Sequence, residues 1–223
     1  MRILIVTAGS RGDVAPFTGL GRCLLGAGHE VVVAAHPPFA ALVGGCGLGY
    51  RPLPGDPQEL IRDRGRASSP EEARAVLTAF LDGLADGVAT AVGDGADLVL
   101  TAFGAAPLSR TAGAAFGVPV IGTYLTPAFA TRAFPPPGAT DTHDQGPEGN
   151  LAAGRAALRG AEELSAGTVA RLRARLGLPA DTPSASLGDV RPPAPLRPSA
   201  FLSSPLPPHM LPRLVEPPVM FGR

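Results

Sequence analysis

The chain has 223 residues, no tryptophan, 29 glycines and 26 prolines, and its 19 basic positions balance 19 acidic ones. That length suits one large domain or two small ones, and a net charge of zero gives no bulk attraction to nucleic acid or an anionic membrane. With 45% hydrophobic residues the chain can bury roughly 70% of its unfolded surface, which excludes disorder of the whole.

Taken in order, Ile3-Leu4-Ile5-Val6 is an apolar run closed by Gly9, expected as a strand buried on both faces of a parallel sheet. From Val14 to Ala27 the apolar positions Phe17, Leu20, Leu24 and Leu25 recur at helical spacing, with Asp13 placed to cap the start and Gly28 the end. Glu30 to Ala35 predicts a second strand, Phe39 to Val43 a short helix, Tyr50 to Leu53 a third strand and Glu71 to Val92 a helix. Leu98 to Leu100 predicts strand four, Leu108 to Phe116 a helix and Val118 to Tyr124 strand five. This alternation predicts an α/β fold, a Rossmann-like, doubly wound parallel sheet.

Residues 126 to 150, with Pro135-Pro136-Pro137 and almost no apolar periodicity, read as a flexible loop. Leu151 to Leu176 predicts a long helix with Leu158, Leu164, Val169, Leu172 and Leu176 as its apolar stripe and Arg155, Arg159, Arg171, Arg173 and Arg175 on a solvated face. A proline-rich tail from 178 to 223 holds two strand candidates, Ala200 to Ser203 and Val219 to Phe221. Cys23 and Cys46 have no C-x-x-C spacing and read as buried small hydrophobes, which fits a reducing cytoplasm. The first residues have neither the flanks of a signal peptide nor the length of a transmembrane span.

Gly9-Ser10-Arg11-Gly12-Asp13 joins the first strand to the first helix, on the edge where open α/β sheets bind ligands. Three readings fit Asp13. It is a helix cap, or it belongs to a dinucleotide loop, or it is a general base facing a cleft. The second is disfavoured, because Gly9-x-x-Gly12 is not G-x-G-x-x-G and strand two ends in Ala34-Ala35-His36 without the ribose-binding acid. His36 and Phe103 stand at strand ends on the same edge and are candidates to line a cleft, whereas His29 sits in a turn and suits a structural role. Asp141, His143 and Asp144 form a lone D-x-H-D with no further ligands, so no metal site is expected.

The G-S-R-G-D-V-x-P loop, the G-H-E-V turn at Gly28 to Val31, the A-x-H-x-x-F of Ala34 to Phe39 and the G-L-x-Y-x-P-L of Gly47 to Leu53 resemble a known family. It is the amino-terminal domain of GT-B glycosyltransferases that act on sterols, lipids and polyketide or glycopeptide aglycones, of the glycosyltransferase family 28 kind. The likeness is strong over about the first 125 residues and collinear beyond.

The resemblance implies an acceptor-binding half of an inverting glycosyltransferase, one half of a GT-B fold over residues 1 to 223. Asp13 would activate the acceptor hydroxyl, Ser10, Arg11 and Gly12 would shape its loop, and Thr126 and Phe129 would help line an apolar acceptor cleft. No cofactor or metal is implied beyond a nucleotide sugar as co-substrate. The H-C-G-x-G-T-like turn and acid-glutamine pair of the family's donor domain do not appear in the sequence. The expectation is therefore that a second chain or self-association completes the site. The rival expectation is a non-catalytic binding or accessory module.

Overall fold

The computed structural model describes residues 1–137 and 143–179. The strand candidates at 200–203 and 219–221, nearly all of the 178–223 tail and the middle of the 126–150 segment lie outside the described residues.

The chain opens with β1 (Arg2–Val6) and α1 (Arg11–Gly26), followed by β2 (Glu30–Ala35), a 3-10 turn at Pro37–Phe39, α2 (Ala40–Gly44) and β3 (Gly49–Pro52). Next come α3 (Pro57–Arg66), α4 (Pro70–Gly93), β4 (Leu98–Thr101), a 3-10 turn at Phe103–Ala105, α5 (Ala106–Phe116), β5 (Val120–Gly122) and α6 (Gly146–Arg175). All pairings are parallel, in the order β3-β2-β1-β4-β5, with Val6 beside Ala34 on one side and Thr101 on the other. The doubly wound Rossmann-like sheet expected from the sequence is thus present.

Side chains alternate across β1. Leu4 and Val6 join Leu84, Val88, Leu108 and Leu172 on one face, while Ile3 and Ile5 join Val14, Phe17, Val33 and Leu100 on the other. Burial on both faces explains why the strands read as continuous apolar runs. Gly113 permits α5 to close on β5, since a Cβ there would lie 2.3 Å from Val120 Cγ2 and 2.7 Å from the Val118 carbonyl.

Three expectations are corrected and one further helix is found. Helix α1 starts at Arg11 with Ser10 as its N-cap, so Asp13 is not the N-cap itself but caps from the third helical position, its carboxylate reaching back to the Ser10 N–H as the acidic half of a capping box. Cys23 is exposed and Cys46 half-buried, because the apolar stripe of α1 turns Val14, Phe17 and Leu20 inward and leaves position 23 outside. α3 was not legible, for it buries nothing, and its start is set by Asp56, whose carboxylate accepts the Gln58 N–H at 2.8 Å. α6 begins at Gly146, five residues before the expected Leu151. Its first turn is tied down by Asn150, 1% exposed, which accepts the Gln145 N–H and donates to Asp144 Oδ1 at 2.8 Å and the Arg132 carbonyl.

Of the expected apolar stripe of α6, Leu172 is buried and Val169 and Leu176 pack against the core, but the inward face is wider than that stripe and leaves out one of its members. Leu164 is 62% exposed, whereas Leu151, Gly154, Ser165, Thr168 and Leu172 are buried at helical spacing. Small and hydroxyl residues let α6 lie close to its neighbours, and hydropathy does not register them. Two of the arginines expected on a solvated face are paired with α4. Arg171 and Thr168 both donate to Asp82 at 2.7 Å, and Arg175 pairs with Asp86. The Arg171 guanidinium holds the Asp82 carboxyl below the usual carboxylate range.

By length and composition α4 is apolar enough to cross a membrane, with a mean hydropathy of 1.5 over its most apolar window. In this fold its Leu84, Val88 and Val92 are committed to the core and its Asp82 and Asp86 to α6.

These contacts differ in weight. Leu172→Ala is expected to lower unfolding free energy by about 2–5 kcal/mol through cavity formation, and Asp82→Asn by less than about 1 kcal/mol because that pair is half-exposed. Urea unfolding midpoints of the two variants check the ranking.

Candidate functional site

In the order β3-β2-β1-β4-β5 the chain reverses direction between β1 and β4, and a crevice at the carboxyl ends of those two strands is where such sheets take ligands. The loops after β1 and β4 flank this point. They run close together, for a Cβ on Gly104 would stand at van der Waals distance, 3.7 Å, from the Ala8 carbonyl.

The first loop is built around Asp13. Gly9 turns the chain at φ 137°, Ser10 is extended, and α1 begins at once. Asp13 Oδ2 accepts the Ser10 N–H at 2.7 Å and the Ser10 hydroxyl at 2.9 Å. The Asp13 carbonyl accepts the hydroxyl of fully buried Thr7 at 2.7 Å, so main chain and side chain are both anchored. Among the described residues, Oδ1 takes no hydrogen bond, and the side chain is half-buried rather than sealed. Gly9 makes this arrangement possible: a Cβ there would fall 2.4 Å from Asp13 Oδ2. Arg11 and Gly12 lie exposed on the first turn beside it.

The second loop carries Phe103, whose ring meets Tyr124 edge-on at 5.5 Å between centroids. Phe103, Thr126, Phe129, Leu158 and Ala161 are among the residues that line a cavity of about 210 Å³. Among the described residues no ionisable side chain lines it, and α6 supplies one wall through Gly154, Ala157, Leu158 and Ala161. Gly154 brings that wall close, for a Cβ there would stand 2.8 Å from Ala130 Cα.

The candidate residues thus fall on three loops, Ser10, Arg11, Gly12 and Asp13 after β1, Phe103 after β4, and Thr126 and Phe129 after β5, the residues of the last two loops lining one cavity. His36 joins none of them. It is fully buried beneath the strand edge, 5.5 Å from the Phe80 ring, so it lines no open cleft. Thr7 and the small residues of α6 escaped the sequence reading. A hydroxyl directly after a buried strand is the only signal Thr7 offered.

Neither ring nitrogen of His36 has a hydrogen-bond partner of good geometry, although the carbonyls of Leu53, Pro54 and Gly55 lie near enough to favour protonation. Burial outweighs them and pushes His36 below its ordinary 6.5. The unfolded chain therefore binds this proton more readily, and the stability due to neutral His36 is present above pH 6.5 and lost as pH falls through the lowered value. A fall in urea midpoint between pH of about 7.5 and about 5, reduced in His36→Gln, is the expected result.

Among the described residues no group of three His, Cys, Asp or Glu side chains is placed to hold a metal. His143 and Asp144 are described, Asp141 is not, and Asp144 Oδ1 is engaged by the Gly146 N–H and Asn150.

No protein-family model matches the chain. It is 54% identical over 57 residues to the O-mycaminosyltylonolide 6-deoxyallosyltransferase of Streptomyces fradiae, which covers 26% of this chain and 14% of that protein. It is 34% identical over 159 residues to the UDP-sugar-dependent glycosyltransferase 52 of Dictyostelium discoideum, covering 68% and 9%. It is 32% identical over 136 residues to the sterol 3-beta-glucosyltransferase of Debaryomyces hansenii, covering 59% and 8%. The matched regions therefore span less than a sixth of these relatives.

Two solved structures share the fold. The calicheamicin glycosyltransferase CalG4 superposes with a TM-score of 0.50 at 20% identity, over 59% of this chain and 34% of that one. The glycosyltransferase SnogD from Streptomyces nogalater gives 0.50 at 21%, over 79% and 41%. The fold is that of a GT-B glycosyltransferase domain. The chain's homologues are sterol 3-beta-glucosyltransferases and antibiotic glycosyltransferases, which bears out the resemblance to amino-terminal domains of the family 28 kind.

Proposed function

We propose that the chain is the acceptor-binding half of an inverting glycosyltransferase that moves a hexose from a nucleotide sugar to a hydroxyl of an apolar lipid, sterol or polyketide or glycopeptide aglycone. One observation carries this reading. A carboxylate held through a single oxygen stands at the switch point, on a loop close to the one whose Phe103 lines a cavity walled, among the described residues, by uncharged side chains.

The chemistry follows from that placement. The apolar body of the acceptor occupies the cavity and presents its hydroxyl toward Asp13. Oδ1 takes the hydroxyl proton as the oxygen attacks the anomeric carbon. The bond from that carbon to the nucleotide's phosphate oxygen breaks, the nucleoside diphosphate leaves with the electron pair, and the configuration inverts. Ser10 keeps the carboxylate from swinging away, so positioning supplies much of the rate. The nucleotide sugar is held mainly by a second domain, on the same polypeptide or on another chain.

Calorimetry on the full chain tests the division of labour. A neutral sterol is expected to bind saturably and UDP-glucose only weakly. Tight UDP-glucose binding by this chain, with none of the sterol, would reverse the assignment.

A further inference from the structure

Tyr124 does not line the cavity, yet it fixes a residue that does. Its ring meets the Phe103 ring edge-on, at 84° and 5.5 Å. Its hydroxyl accepts a hydrogen bond from Arg110 Nη2 at 3.1 Å, which ties the far end of the ring to α5. The backbone just before it is pinned, because the Thr123 N–H and hydroxyl both donate to the Thr101 carbonyl, at 2.9 and 3.3 Å. Gly122 clears the space: a Cβ there would lie 2.6 Å from both Cζ and Oη of Tyr124. Three elements, β4, β5 and α5, thus converge to hold one ring behind one wall of the cavity.

We propose that Tyr124 is a specificity-determining positioning residue that, clamped by Arg110, holds the Phe103 ring in place and so sets the width of the cavity for an uncharged, ring-bearing acceptor. This rests on the acceptor reading of the cavity. An unsupported Phe103 would be free to change rotamer, and a cavity of about 210 Å³ is small enough for one ring to alter what it admits. Burial raises Tyr124 above its ordinary 10.0, with Arg110 opposing, so the hydroxyl stays protonated at neutral pH.

Two readouts separate the clamp from the acceptor reading. The chain has only two tyrosines, so protein labelled with 3-fluorotyrosine gives two fluorine resonances, and Tyr124→Phe identifies the one from Tyr124 by deleting it. Phe103→Leu and Arg110→Met are each expected to shift that resonance and leave the Tyr50 signal in place. If neither substitution moves it, the clamp is wrong. The second readout is binding of dehydroergosterol, a neutral fluorescent sterol, to the full chain. Tyr124→Ala is expected to weaken it about tenfold, the size of one aromatic pair, and Tyr124→Phe, which keeps the ring, by less. Unchanged affinity in Tyr124→Ala overturns the specificity role. No sterol binding by the unsubstituted chain overturns the acceptor reading, while the fluorine shifts still decide the clamp.

Discussion

In the assembled enzyme, with a nucleotide-sugar domain in place, Asp13→Asn is expected to lower kcat by about 10²–10⁴-fold, the usual contribution of a general base. Asparagine fills the same volume and its carbonyl oxygen still accepts from the Ser10 N–H, so the turn survives while proton abstraction is lost. Acceptor affinity should change little, because the cavity walls contain no part of Asp13. Steady-state kinetics with acceptor varied separates the two effects: kcat falls and KM holds. Undiminished turnover would remove Asp13 from the mechanism.

Gly9→Ala should produce a comparable loss of kcat from a residue that touches no substrate. At φ 137° an alanine is strained, and its Cβ would lie 2.4 Å from the Asp13 carboxylate oxygen. The carboxylate is the free end of a short side chain, so it can rotate away. The fold survives at a cost of about 1–3 kcal/mol from the strained backbone, and both Ser10 bonds are given up. A 1 Å displacement of a reacting group is enough for about a hundredfold loss in rate. Once Asp13 is already asparagine, Gly9→Ala should cost little more, and such non-additivity in the double variant is the signature of one shared function. Gly113 makes a useful contrast. There the obstacle is the Val118 carbonyl and the Val120 side chain, which cannot rotate aside, so alanine at 113 should reduce stability rather than turnover.

What the sequence made legible was what hydrophobic periodicity and turn chemistry encode. The runs Ile3 to Val6 and Glu30 to Ala35 announced doubly buried strands, and both are present with the expected parallel partners. The Gly9 to Asp13 loop stands at the carboxyl edge of the sheet, as the strand-to-helix switch implied. Its internal wiring was not legible, because whether Asp13 is the N-cap itself or caps from the first turn by reaching back to Ser10 depends on where the backbone turns at Gly9.

The inward face of α6 was hidden for a different reason. Gly154, Ser165 and Thr168 carry little apolar signal, and their burial follows from close approach to neighbours far away in sequence, Ala130 and Asp82 among them. His36 misled in the opposite sense. Its place at the end of β2 suggested a cleft, but Phe80 from α4 packs over the ring, a contact no local pattern encodes.

In the proposed function the cavity beneath Phe103 and Phe129 receives the apolar body of an acceptor beside Asp13. Photolabelling reads this out, with a diazirine-bearing neutral sterol irradiated on the full chain and the adducts mapped by mass spectrometry. Saturable labelling within Thr126 to Phe129 and Gly154 to Ala161, displaced by unlabelled sterol, is expected. Adducts concentrated instead at the opposite edge of the sheet, around Phe116 and Leu176, or labelling that never saturates, would contradict it.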